Sequence, residues 1–148
     1  MAPTTDHVRA VVARHAEATA DNRVFFHPDI PGHRLASALT AYPGGAPDDV
    51  LVLLDDTETG SATEGLLLTE DAIHARNGSE LVQRLAVPKL DSIELASESP
   101  PILRLNGIVV LDGIRVRPET MERFVTMLRE IAEGLGTAQQ AQTQTTPK

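Results

Sequence analysis

The stretch from Val50 to Arg76, VLVLLDDTETGSATEGLLLTEDAIHAR, most constrains what this chain can fold into. Two apolar runs of strand length, Val50 to Leu54 and Gly65 to Thr69, flank a polar segment. Runs of this kind have no solvated face, so both strands are expected to be covered on each side. Ile73 and Ala75 then alternate with His74 and Arg76. That alternation predicts a half-buried third strand with His74 pointing outward. The gaps between the runs are too short for the helical crossovers that a parallel sheet needs.

The pattern continues downstream. Leu81, Leu85 and Val87 alternate with Val82 and Arg84, with Gln83 as a mismatch, and Pro88 weakens continuation of that strand. Ile93 and Leu95 alternate with Ser92, Glu94 and Ala96. Asn106-Gly107 separates ILRL from IVVL, and Asp112-Gly113 separates IVVL from IRV. With Asn77-Gly78 these dipeptides tolerate positive φ and mark hairpins. They predict an antiparallel meander of about six or seven short strands across 49–117.

Helices bracket this middle. In the head, 1–48, Val8, Val11, Val12, His15, Ala16 and Thr19 fall at helical spacing, with Thr5 or Asp6 as N-cap. A loop with Pro28 and Pro31 follows, and a second helix starts near Pro31 with Leu35, Ala38, Leu39 and Tyr42 on one face. The breaker segment PGGAPDD ends it. The closing helix, 118–135, begins at Pro118 and carries Met121, Phe124, Val125, Leu128, Ile131 and Leu135 as an apolar stripe. Gly134 and Gly136 are expected to stop it. Residues 136–148 are polar and repetitive and are expected to form a disordered tail. The fold class is therefore α+β in one domain, 1–135.

Composition narrows the function. The chain has 148 residues, no cysteine and a formal net charge of −8, with 13 Lys plus Arg against 21 Asp plus Glu. The absence of cysteine removes thiolate chemistry and a disulfide framework, and fits a reducing compartment. The acidic balance and 3% aromatic content argue against nucleic acid and against an acidic membrane surface. No stretch reaches the roughly 18 apolar residues of a membrane span, and the N-terminus lacks the apolar core of a signal peptide.

The tempting chemical motifs fall short. Asp55-Asp56-Thr57-Glu58-Thr59-Gly60 opens like a calcium loop, but Leu66 stands where a bidentate Glu is required. Asp and Thr side chains that satisfy the backbone of a strand-ending turn explain it better. His27, His33 and Asp29 form no recognisable zinc motif, and His7 and His15 are too far apart along a helix to share an ion. Ser61 follows a glycine without a G-x-S-x-G elbow. Arg104, Arg115 and Arg117 offer a small anion patch or a solvated face. No cofactor is implied.

A strand-rich sheet or barrel sealed by one C-terminal amphipathic helix resembles the pleckstrin-homology-like superfold. The segment from Leu53 to Arg76 is similar to one found in uncharacterised bacterial proteins of that kind. The shared positions are Asp55, Asp56, Thr57, Gly60, Ser61, Gly65, Leu66, Leu67, Leu68, Thr69 and Ile73. Thr59 and His74 depart from the aromatics usual there. Headgroup binding, known for some such domains, needs cations around the first hairpin loop. Between Asp55 and Asp71 this chain has no Lys, Arg or His, so that role is not expected.

The leading expectation is a non-enzymatic protein-interaction module of the bacterial cytoplasm. Recognition would use an exposed strand edge, or the acidic loop Asp55, Asp56, Thr57, Glu58, Gly60 and Ser61, with His74, against a basic protein partner. The N-terminal apolar stripe suggests a homodimer. Alternatives are an immunity- or antitoxin-like inhibitor of a basic enzyme, and an enzyme pairing Asp55 or Asp56 with His33 or His74.

Overall fold

The apolar runs become strands, and the strands divide between two antiparallel sheets. The computed structural model describes residues 3–42, 47–57, 62–77, 81–96, 101–112 and 114–145. The first sheet holds five strands in chain order: β1 (Val24–Phe26), β2 (Val50–Asp55), β3 (Gly65–Thr69), β4 (Ala72–Arg76) and β5 (Gln83–Ala86). The second holds three: β6 (Ile93–Ala96), β7 (Ile102–Leu105) and β8 (Ile108–Leu111). The helices are α1 (Pro3–Thr19), α2 (Gly32–Ala41) and α3 (Pro118–Thr145). The class is α+β, as the sequence predicts, but neither sheet closes on itself.

The strand inventory departs from expectation at two places. β1 lies in the segment read as a proline-bearing loop, and its register Phe25↔Leu53 places it beside β2. The IRV segment forms no strand. Ile114 and Val116 are buried in irregular chain, and the Ile114 N–H donates to the Pro101 carbonyl. Burial, not pairing, explains their apolar character. Of the turn dipeptides, Asn106-Gly107 is seen whole, with φ of 52° and 80°. Two consecutive positive φ values are the signature of a tight hairpin turn. Gly78 and Gly113 lie outside the described residues.

The first sheet is buried on both faces at β2 and β3, as their unbroken apolar runs require. Leu54, Leu66 and Leu68 face the main core, shared with the second sheet, α1 and α3. Val50, Leu53 and Leu67 face a smaller cluster with Ala38 and Tyr42 of the α2 segment. Each buried leucine contributes up to about 2 kcal/mol. Gly65 is obligatory where β3 begins: at φ +127° a side-chain carbon would stand 2.1 Å from the Leu54 carbonyl oxygen.

The helical layer corrects two expectations and removes the ground for a third. α1 starts at Pro3, so Thr5 and Asp6 lie inside it rather than capping it. Its stripe is covered by its own chain: Val8, Val11 and Val12 are buried with Met121, Phe124, Leu128 and Ile131 of α3 in the main core. An uncovered stripe was the ground for a homodimer through this helix, and that ground is gone. α3 does not stop at Gly134 or Gly136 but continues to Thr145, through most of the segment expected to be a disordered tail. Gly134 is instead a notch. A side-chain carbon there would meet the His7 ring at 2.1 Å, and His7 Nε2 lies 3.2 Å from the Ile131 carbonyl oxygen. Beside it, His15 Nε2 sits 2.5 Å from Glu130 Oε2, and this hydrogen bond is the chief cause holding the Glu130 carboxyl below its ordinary range.

Candidate functional site

The acidic turn after β2 faces inward. Asp55 has 0% exposure and Asp56 and Thr57 have 4% each. Asp55 Oδ1 accepts the Thr57 N–H at 2.9 Å and the Thr57 hydroxyl at 2.5 Å, while Oδ2 accepts from Arg34 of α2 at 3.1 Å. Arg34 also stacks over Phe25 of β1, 4.8 Å from the ring centroid. Asp56 Oδ1 accepts the Arg115 N–H at 2.6 Å, and the Arg115 guanidinium donates to the Asp56 carbonyl at 2.7 Å. Burial pushes the Asp56 carboxyl above its usual range, and the Arg115 contacts act against that. The turn is an internal clamp joining β2, α2 and the segment before α3. The strand-ending turn in which an Asp side chain satisfies the backbone is as the sequence predicts, but the exposure that a basic partner needs is absent: the Asp55 carboxylate meets Arg34 and the Thr57 N–H, and the Asp56 carboxylate meets the Arg115 N–H. Glu58, Gly60 and Ser61 lie outside the described residues.

His74 is also relocated. Pairing across the sheet sets Phe25, Leu53, Leu67, His74 and Arg84 in one row. Leu53 and Leu67 of this row belong to the cluster beneath α2. His74 is 9% exposed, and its Nδ1 is buried without a hydrogen-bond partner. The outward position predicted from alternation fails because this sheet has a second covered face. Burial first, and the neighbouring Arg84 second, lower the His74 pKa, with Asp71 acting in the opposite sense.

The residues proposed for chemistry do not assemble. Asp55 and Asp56 are bonded as above, and among the described residues no hydrogen bond joins either to His33 or His74. No group of three or more potential metal ligands occurs among the described residues. The arginines of the suggested anion patch are each paired: Arg104 with Glu94 at 3.6 Å, Arg115 with Glu64 at 3.8 Å and Arg117 with Asp21 at 3.1 Å. No described helix is long and apolar enough to cross a membrane.

The feature that stands out is the seam between the sheets. β5 is the last strand of the first sheet and β8 the last of the second. β8 lies against β4, yet no backbone ladder joins β8 to β5. Three amide side chains stitch the two sheets around this seam, and of the three only Gln83 joins β5 to β8; Asn77 follows β4, and Asn106, in the β7–β8 turn, reaches the connection before β6. Asn77 Oδ1 accepts the Asp112 N–H at 3.0 Å, and Gln83 Nε2 donates to the Val109 carbonyl at 3.1 Å. Asn106 Oδ1 accepts the Asp91 and Ser92 N–H groups at 2.8 and 3.1 Å, and its Nδ2 donates to the Lys89 carbonyl at 2.9 Å.

Between the stitches lies a cleft of about 110 Å³, walled chiefly by Leu85, Leu105, Ile108 and Val110. At its rim Ile108 is 58% and Val109 37% exposed, and Leu81, just before β5, is 90% exposed. These three are the exposed large hydrophobics among the described residues. The opposite edge of the second sheet is not comparable. β6 lies along α3, and Arg129 donates to the Ile93 carbonyl at 3.0 Å.

One signal of the seam was present in the sequence. Gln83 breaks the apolar alternation of its strand, and it is the residue that reaches across to β8. The alternation that runs from Leu81 to Val87 in the sequence starts as a strand only at Gln83, which leaves Leu81 outside β5. Comparison with family models, curated proteins and solved structures finds no match for this chain.

Proposed function

We propose that this protein is a non-enzymatic interaction module of the bacterial cytoplasm that recognises a protein partner by strand addition at the β5–β8 seam. The observation that carries this reading is the pair of sheet edges that share no backbone ladder, border an apolar cleft and, among the described residues, are bridged by the Gln83 side chain. An unpaired edge presents backbone N–H and C=O groups in register for another strand. Main-chain hydrogen bonds then supply affinity, and pockets for alternate side chains supply selectivity. Consecutive antiparallel strands followed by a C-terminal helix support a pleckstrin-homology-like arrangement, opened at this seam. Recognition is placed on the edge rather than the acidic turn because the Asp55 and Asp56 carboxylates are engaged inside the protein.

Photo-crosslinking in cells tests this directly. A photoreactive residue at Ile108 is expected to capture one discrete protein, and the same group at Glu17, exposed on α1, is not. Capture from Glu17 alone, or the same products from both sites, would contradict the proposal.

A further inference from the structure

The partner's chemistry can be derived from the two faces that meet at β5, given the strand-addition reading above. Neighbouring side chains of a strand point to opposite faces. On one face, Gln83 and Leu85 pair with Ala75 and Ile73, which belong to the main core, and they border the apolar cleft. On the other face, Arg84 pairs with His74. Arg84 is exposed and has no ion pair among the described residues.

A strand laid on the free edge of β5 must therefore divide its side chains between two unlike surfaces. One set enters the cleft beside Leu85, Ile108 and Val110, where an apolar group is favoured. A dry cavity of roughly 150 Å³ accepts a ring the size of benzene, so about 110 Å³ has room for aliphatic side chains. The other set stands beside Arg84, where a carboxylate gains a cross-strand charge pair and a cation meets repulsion. The overall charge of −8 points toward a basic partner, but the local field at this edge has the opposite sign.

We infer that the partner contributes an extended segment in which apolar side chains alternate with acidic ones, the apolar set filling the β5–β8 cleft and a carboxylate meeting Arg84.

The test uses the full chain and three fluorescein-labelled synthetic peptides. One is Thr-Val-Glu-Val-Glu-Val-Thr. The second has lysine for both glutamates, and the third has proline for the central valine. Fluorescence anisotropy gives affinity, and amide chemical shifts locate the contact. The glutamate peptide is expected to bind at least about tenfold more tightly than the lysine peptide. The proline peptide is expected to lose binding, because it removes a ladder donor and cannot sit within a central strand. In Arg84→Gln, which alters an exposed side chain, the glutamate preference should fall below about threefold while circular dichroism stays that of the parent. Shift changes should fall on β5 and β8. Equal binding of the glutamate and lysine peptides at the seam would overturn the acidic-partner inference while leaving strand addition intact. No shift at β5 or β8 with either peptide, or shifts confined to α1 and α3, would overturn strand addition itself.

Discussion

Gln83 Nε2 donates to the Val109 carbonyl over 3.1 Å, so an amide side chain spans two strand edges that share no backbone ladder. Asn106, in the β7–β8 turn, ties that turn to the connection before β6 with three bonds to the backbone at Lys89, Asp91 and Ser92. It also holds φ of 52°, a conformation that asparagine tolerates and alanine resists. Asn106→Ala is therefore expected to lower stability by about 2–3 kcal/mol. Gln83→Ala removes one exposed bond and should cost less than about 1 kcal/mol. Urea denaturation of both variants checks the order; equal losses would contradict it.

Asp55 is the centre of the clamp beneath α2, and its carboxylate is fully buried. Asp55→Ala strands the Thr57 N–H and leaves Arg34 without its carboxylate. Arg34 is 24% exposed, so water recovers part of the loss. The expected destabilisation is about 3 kcal/mol. Asp55→Lys should prevent folding, which makes it unsuitable as a probe of surface charge. Thermal melts of Asp55→Ala and Asp55→Asn decide the matter: a change below about 0.5 kcal/mol in the alanine variant would show that the clamp carries no weight.

His74 gives a pH dependence with a definite sign. Its folded-state pKa lies below the ordinary 6.5 because burial, then Arg84, disfavours the cation. The unfolded chain takes up the proton first, so stability is fully present above about 6.5 and is lost as pH falls from there toward the folded-state value. Denaturation midpoints should decline between pH 7 and pH 5, and His74→Leu should flatten that decline. The leucine also removes the unpartnered Nδ1 from the row with Leu53 and Leu67. Parallel pH profiles for parent and variant would refute this role.

The His7 ring packs over Gly134 across the α1–α3 interface. Glycine inside a helix costs about 1 kcal/mol relative to alanine. In the parent, Gly134→Ala should yield none of that gain, because the new methyl displaces the His7 ring from the Ile131 carbonyl. In a His7→Ala background the same change should stabilise by about 1 kcal/mol. A double-mutant cycle measures the difference, and additive effects would mean that the ring and the notch do not interact.

Much of this architecture was legible in the sequence, for identifiable reasons. The apolar runs of β2 and β3 left no solvated face, and Asn106-Gly107 demanded a tight hairpin. The stripe of α3 named its core residues. Local patterning failed wherever a distant element decided the outcome. His74 alternates like a surface residue, but α2 brings a second cluster to that face of the sheet. Asp55 and Asp56 look like loop acids until Arg34 and Arg115 arrive from far along the chain. Gly134 is a helix stop by propensity and a notch by packing. β1 is only three residues long and runs into Pro28 and Pro31, and its identity comes from pairing with β2. The seam has no local pattern at all, because it is a relation between two edges; the mismatch at Gln83 was its trace.

Residue-resolved amide exchange on the full chain tests the open seam most directly. Backbone N–H groups of β5 and β8 that point into the seam have no strand partner and should exchange orders of magnitude faster than those of β3, which is paired on both sides. Alternate residues of β5 should thus separate into fast and slow sets, and the strand-forming glutamate peptide should slow the fast set. Uniform protection of β5 and β8 at the level of β3 would mean that the two edges are already joined, and would contradict the account.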